Sequence, residues 1–276
     1  MESTKLSIEY NSAEARSPFI GELVELWRYR DLLMLLVTNS IKTRYKRSTL
    51  GVVWTLLNPL LSTLVLTIAF QAIMRFRVEN YTIYLLVGLL FWTFFSQSTT
   101  QAMNTLIWGS NLLKRIYVPR TIFAVSVLGN GLINFLLSLI PLAVIMLFMR
   151  HPFYSTLLLL PFAILLMAMF TLGLALFIST LAVFFVDVVD IYGILLQALF
   201  YLTPIIYPLD IIPAQFARFI KLNPMTIMVE LFRTLIYNGQ IPSTGLSLAA
   251  VGLSLFSLLI GWFVFTKRVD EFAYRL

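Results

Sequence analysis

TIFAVSVLGNGLINFLLSLIPLAVIMLF, residues 121–148, runs for 28 positions without a charged side chain. STLLLLPFAILLMAMFTLGLALFISTLAVF, residues 155–184, follows in the same manner. From Tyr81 to Val186 there is no Asp or Glu at all. A carboxylate at a bilayer centre costs about 2.5–3.5 kcal/mol on insertion scales, whereas a soluble surface of this length needs acids. The solvent of this chain is therefore lipid. A hydrocarbon core about 30 Å thick takes roughly 20 helical residues, and only helices or closed barrels satisfy the backbone there. The runs are continuous rather than alternating, so helices are expected. The fold class is an all-α polytopic membrane protein with six transmembrane helices, at 52–74, 81–105, 121–148, 155–184, 188–207 and 243–266. The fourth is long for one span and is expected to tilt or to kink at Pro161.

Composition narrows the chemistry. Of 276 residues, 59% are hydrophobic and 12% charged, against about 25% charged in soluble domains. The twenty basic residues outnumber thirteen acids, but they cluster beside apolar runs, where they set topology; no nucleic-acid partner is expected. Without cysteine there is no disulfide framework and no thiolate metal site. The single histidine, His151, sits between Arg150 and Pro152 and is read as having no chemical role. No glycine begins a G-x-x-x-x-G-K-[ST] loop. The chain is expected to bind no cofactor or metal and to be no enzyme by itself.

Basic residues orient the spans. With the N-terminus inside, inside segments carry fourteen Lys/Arg and outside segments six: Arg75, Arg77, Arg150, Arg218, Lys221 and Arg233. The densest cluster, Lys42-Thr-Arg44-Tyr45-Lys46-Arg47, directly precedes the first span, so both termini are expected in the cytoplasm. Residues 1–18 read as a flexible polar tail, 19–47 as a cytoplasmic interface segment, 48–269 as the transmembrane domain and 270–276 as a short tail. No cleaved signal peptide is expected. Within 19–37, Leu23, Leu26, Trp27 and Leu33 recur at helical steps among Glu22, Glu25, Arg28, Arg30 and Asp31. Such a helix suits the membrane surface; an ordinary soluble helix packed on another element is the plainer reading.

Segment 208–242 holds Pro208, Pro213, Pro224 and Pro242 among apolar residues. Pro213 opens a short helix, Asn223-Pro224 breaks it, and a second helix runs from Met225 to Tyr237, stopped by Asn238-Gly239. Two short helices dipping back toward the bilayer are expected on the outer side.

Polar side chains within the spans carry the remaining information. Ser96-Gln97-Ser98-Thr99-Thr100-Gln101, followed by Asn104, cannot all face lipid. They serve either as glue between helices or as a lining for a polar, uncharged substrate. Asn130 and Asn134 admit the same two readings. Phe91, Trp92, Phe94, Phe95, Phe200 and Tyr201 either pack or offer rings on which sugars stack. Asp187 and Asp190 share a helix face, as a solvated helix entrance or a proton relay. The inside loop from Trp108 to Arg120 is short, basic and partly apolar, and Leu112, Leu113 and Ile116 invite a protein partner.

Several segments, in order, resemble the ABC-2 type permeases that export bacterial O-antigen, capsule and teichoic acid polysaccharides. They are Arg44-Tyr-Lys-Arg-Ser-Thr-Leu-Gly51 with Trp54 and Asn58-Pro59; Asn111-Leu-Leu-Lys-Arg with Val118-Pro-Arg120; Phe184-Phe-Val-Asp-Val188; Leu202-Thr-Pro-Ile-Ile-Tyr-Pro208; and Asn223-Pro224. Together they span about residues 30–270. The resemblance implies a homodimer in the bacterial inner membrane bound to two copies of a separate ABC ATPase, which uses the ATP and Mg. It implies a short cytoplasmic coupling helix of Asn111, Leu112, Leu113, Lys114, Arg115, Ile116 and Tyr117 seated in that ATPase. Trp27, Arg28, Arg44, Tyr45, Lys46 and Arg47 would lie at the inner interface. Phe91, Trp92, Phe95, Ser96, Gln97, Thr100, Gln101, Phe200 and Tyr201 would form the translocation path, with membrane lipid outside it. The helices of 208–242 would be outer gate helices, with Phe216, Phe219, Asn223 and Pro224 as gate residues. The cargo would be a lipid-linked polysaccharide. The family often has Arg before the Asp of Phe184–Val188; this chain has Val186, so a role for that Arg has no counterpart here. The competing functions are export of a small hydrophobic compound, a membrane enzyme acting on lipid-linked sugars, and a passive scaffold.

Overall fold

A computed structural model of the chain describes residues 18–45, 51, 53–74, 78–108 and 119–272. Every regular element among the described residues is helical. In chain order these are α1 (Pro18–Arg28), α2 (Arg30–Tyr45), α3 (Val53–Met74), α4 (Tyr81–Trp108), α5 (Thr121–Phe148), α6 (Leu160–Phe184), α7 (Val188–Leu202), α8 (Ala214–Leu222), α9 (Pro224–Ile236) and α10 (Thr244–Arg268).

Among the described residues, four helices are long and apolar enough to cross a membrane: α4, α5, α6 with its preceding 3-10 turn Ser155–Leu159, and α10. The six-helix expectation is met there at full length only four times. The apolar part of α3, Leu56–Phe70, and α7 are shorter. α7 stops at Leu202 rather than reaching 207, because Pro204 has no N–H and forces Thr203 into extended backbone (φ −96°, ψ 133°). Pro161 does not kink α6; it sits in the first turn, where the missing N–H costs nothing. The single amphipathic helix expected over 19–37 is two helices, α1 and α2, meeting at Tyr29. The backbone ladder continues across the joint, with Tyr29 N donating to Glu25 O and Leu33 N to Tyr29 O.

α4 is the axis of the molecule. Ile83, Leu85, Leu86, Phe91 and Phe95 are buried in the main apolar cluster, and α3, α5, α6, α7 and α9 pack around them. α6 lies closest to α10. A Cβ on Gly261 would stand 1.9 Å from the Gly173 carbonyl oxygen, so the two backbones touch there. Ser254 Oγ shares its proton between Leu166 O (2.9 Å) across the seam and Ala250 O (2.8 Å) on its own helix, and Ser257 Oγ donates to Phe170 O (2.8 Å) across the same seam. Small residues and interhelical hydroxyl bonds are what hold helices together in lipid, where no hydrophobic drive separates helix from solvent. Leu136, Ile140, Val144 and Leu147 leave an exposed apolar stripe on α5, as a lipid-facing surface requires.

A second apolar cluster gathers at the Trp108 end, from Leu106, Ala124, Leu176, Trp262, Phe265 and Phe272. Leu26 of α1 packs on it, and Thr121 Oγ1 donates to Glu22 Oε2 (2.5 Å). α1 is thereby tied beneath the bundle, with Trp27 73% exposed on its free side.

Candidate functional site

The polar run of α4 opens on a groove of about 1110 Å³ between α3, α4 and α5. α4 contributes Ser96, Gln97, Thr100, Gln101 and Asn104, α5 contributes Asn134 and Ser138, and α3 contributes Trp54 and Asn58. Amides, hydroxyls, aromatic rings and a few apolar side chains line it, and among the described residues no charged one does. The two readings of the run divide residue by residue. Thr99 turns away: its hydroxyl donates to Phe95 O (2.9 Å) and accepts from Tyr192 of α7 (2.6 Å). Gln97 and Gln101 are exposed into the groove. Ser98 is buried on its wall and its Oγ has no hydrogen-bond partner. Gly131 allows that approach, since a Cβ there would lie 2.3 Å from Ser98 Oγ.

Of the other residues expected along a path, Phe91, Trp92 and Phe95 are core rather than groove wall. Phe91 stacks on Phe95 (6.4 Å) and meets Phe232 (5.9 Å), Phe95 stacks on Phe170 (5.8 Å), and Trp92 packs on Phe200 (5.4 Å). Their neighbours come from α6, α7 and α9, which no local pattern specifies. Tyr201 is exposed beside Phe200. Asp187 and Asp190 flank the start of α7, both exposed. Asn111, Leu112, Leu113, Lys114, Arg115, Ile116 and Tyr117 lie outside the described residues, as do Lys46 and Arg47; Arg44 and Tyr45 end α2. Arg28 closes α1, and Arg30 lies over the Trp27 ring at 5.4 Å.

At the expected gate, Asn223 is a helix cap. Its Oδ1 accepts from Met225 N (3.0 Å), with Pro224 in the first turn of α9. Its Nδ2 donates to Thr203 Oγ1 (3.2 Å), tying the cap to the end of α7. Phe216 and Phe219 of α8 are exposed.

Arg233, one of the six basic residues assigned to the outside segments, is 1% exposed. Its Nη1 donates to Pro204 O and its Nη2 to Ile205 O (2.6 Å). Its Nε reaches Tyr84 O (3.4 Å), and Cζ lies 3.5 Å from the Tyr84 ring centroid. The next two carbonyls are taken by tyrosines: Tyr81 OH donates to Ile206 O (2.6 Å) and Tyr84 OH to Tyr207 O (3.1 Å). Pro204 to Tyr207 is thus an unwound stretch whose four carbonyls are all bonded to side chains of α4 and α9. The sequence held one signal: an arginine inside the apolar run Met225–Ile236, with Tyr81, Tyr84 and Gly88 spaced along one face of α4. His151 is also buried, stacked on Tyr237 (5.6 Å, 13°).

Residues 31–237 match the family described as ABC-2 type transporter. The chain belongs to that family. The match runs from α2 to just past α9, so it contains both the groove and the bonded turn. This ABC-2 chain is 34% identical to an O-antigen export system permease protein RfbA of Klebsiella pneumoniae, over 83% of its own length and 92% of the relative's. It is 34% identical to the protein of that name from Myxococcus xanthus, over 90% and 96%. With the polysialic acid transport protein KpsM of Escherichia coli it shares 25% over 85% and 92%. The ABC-2 chain is a multi-pass membrane permease, and its long apolar helices are the membrane-crossing part.

Proposed function

We propose that this chain is the permease of an ATP-driven exporter that moves a lipid-linked, O-antigen-like polysaccharide outward across a bacterial inner membrane. Two copies form the path and two copies of a separate ATPase drive it. The groove carries this reading. Sugars present hydroxyls and flat C–H faces, and the groove offers Gln97, Gln101, Asn104 and Asn134 for the former and Trp54 for the latter. Its amide-rich lining, uncharged among the described residues, favours a polar, neutral polymer over a small hydrophobic compound, which gains nothing from buried amides. The names of the relatives at 34% identity point to the same cargo. The exposed face of α1, with Trp27 and Arg28, suits a cytoplasmic interface and supports the reading that both termini lie inside. Residues 111–117 would seat in the ATPase, and α8 and α9 would stand at the exit.

The test is a Gln97→Leu, Gln101→Leu, Asn104→Leu variant expressed with its ATPase. Surface polysaccharide should fall by about tenfold or more, given about 1.5 kcal/mol or more for the bonds lost together. Lipid-linked polymer should accumulate inside, and membrane amount and ATPase association should stay at the parental level. Undiminished surface polymer would remove the groove from the path. A Leu112→Asp, Arg115→Glu variant should lose the ATPase on purification; retained ATPase would dismiss the docking assignment.

A further inference from the structure

We propose that Arg233 is a positioning residue: it locks α9 to the unwound turn 203–207 and to the start of α4, so that these three move as one block and α8 is the leaf left free. The inference rests on the exporter reading for its functional meaning, though not for its geometry. Non-helical backbone at membrane depth survives only where protein supplies its hydrogen bonds. Here the donors come from two other helices, Tyr81 and Tyr84 on α4 and Arg233 on α9. A guanidinium suits this place because its planar fork spans two consecutive carbonyls, Pro204 O and Ile205 O, while its face lies on Tyr84. Lysine has neither the fork nor the flat face. Gly88 vacates the space: a Cβ there would stand 2.9 Å from Nη2 and 3.3 Å from Ile205 Cγ2. Among the described residues α8 has no such fastening. It packs chiefly on α9, and Phe216 and Phe219 stay 54% and 73% exposed. A gate built this way opens by displacement of α8 between the 208–213 link and the Asn223 cap, while α9 stays fixed to the membrane-crossing helices.

The chain has no native cysteine, so single introduced thiols report cleanly on local opening. Ile205→Cys and Leu176→Cys each place a thiol at a buried position, the first in the turn that Arg233 holds, the second on α6 in the other apolar cluster. In the assembled complex, Arg233→Lys should speed maleimide labelling at position 205 by about tenfold and leave position 176 unchanged. Export per ATP hydrolysed should drop by about tenfold, and by about threefold for Tyr84→Phe, which loses one of the four donors. Equal acceleration at 205 and 176 would mean general loosening and would overturn the latch, as would no acceleration at either. Should Arg233→Met fail to accumulate, Arg233→Lys and Tyr84→Phe still decide. If the labelling separates as stated but the parental complex exports no polysaccharide, the latch stands and the exporter reading falls.

Discussion

Replacing Gly261 by alanine adds one methyl group at the tightest point of the molecule. Its Cβ would meet Gly173 O at 1.9 Å, Gly173 C at 2.6 Å and Gly173 Cα at 2.8 Å, all of them backbone. No rotamer relieves that contact, so α6 and α10 must part by about 1 Å or more to restore van der Waals distance. Overpacking of this kind costs about 1–3 kcal/mol. Separation also stretches the Ser254–Leu166 and Ser257–Phe170 hydrogen bonds, each worth about 0.6 kcal/mol between membrane helices. The sum is about 2–4 kcal/mol, a fall of about 5–10 °C in melting temperature for a chain of this size. Thermal unfolding of the purified protein in detergent, followed by loss of the monodisperse peak, measures it. Gly173→Ala should behave alike, because its Cβ meets Ser257 C and O at 2.2 Å. The double variant should cost less than the two singles together, since one separation relieves both clashes. Gly252→Ala, on the same α10 with nothing within 4 Å, is the control and should not lower the midpoint. If Gly261→Ala and Gly173→Ala both melt within about 1 °C of the parent, the backbone contact is not as described.

Gly239→Ala should destabilise by about 1–3 kcal/mol, read as a lower melting temperature: φ is +63° and the added Cβ would lie 2.2 Å from the Tyr154 ring. Equal stability would mean the loop is free to rearrange. In α1, burial raises the Glu25 carboxyl above its ordinary value, opposed by Arg28. A raised folded value means the ionised form weakens the fold, a cost present above that value and absent below the unfolded one. Glu25→Gln should therefore gain melting temperature over the parent near neutral pH and none near pH ~4. A gain confined to the acid side would reverse the assigned sign.

Membrane residence was legible because a carboxylate in hydrocarbon is costly whatever packs against it: the acid-free run from Tyr81 to Val186 needs no partner to be understood. Punctuation was legible too. Pro213 precedes α8 and Asn223-Pro224 opens α9, since each acts on backbone within a turn of itself. What the sequence withheld was facing. Within six successive polar residues of α4, only tertiary contacts send Thr99 to Tyr192 and Gln97 to the groove. Phe91 and Phe95 look like any rings free to meet a sugar until Phe232 and Phe170 arrive from distant helices to cover them. Arg233 was the hardest, because its partners are carbonyls, which every residue possesses and no letter records. A hydrogen bond to backbone 28 positions away leaves no mark in composition or period, so from the sequence the arginine counts only toward topology. Solvent and helix ends follow from forces local to the chain; which side of a helix becomes wall, core or latch follows only from what packs against it.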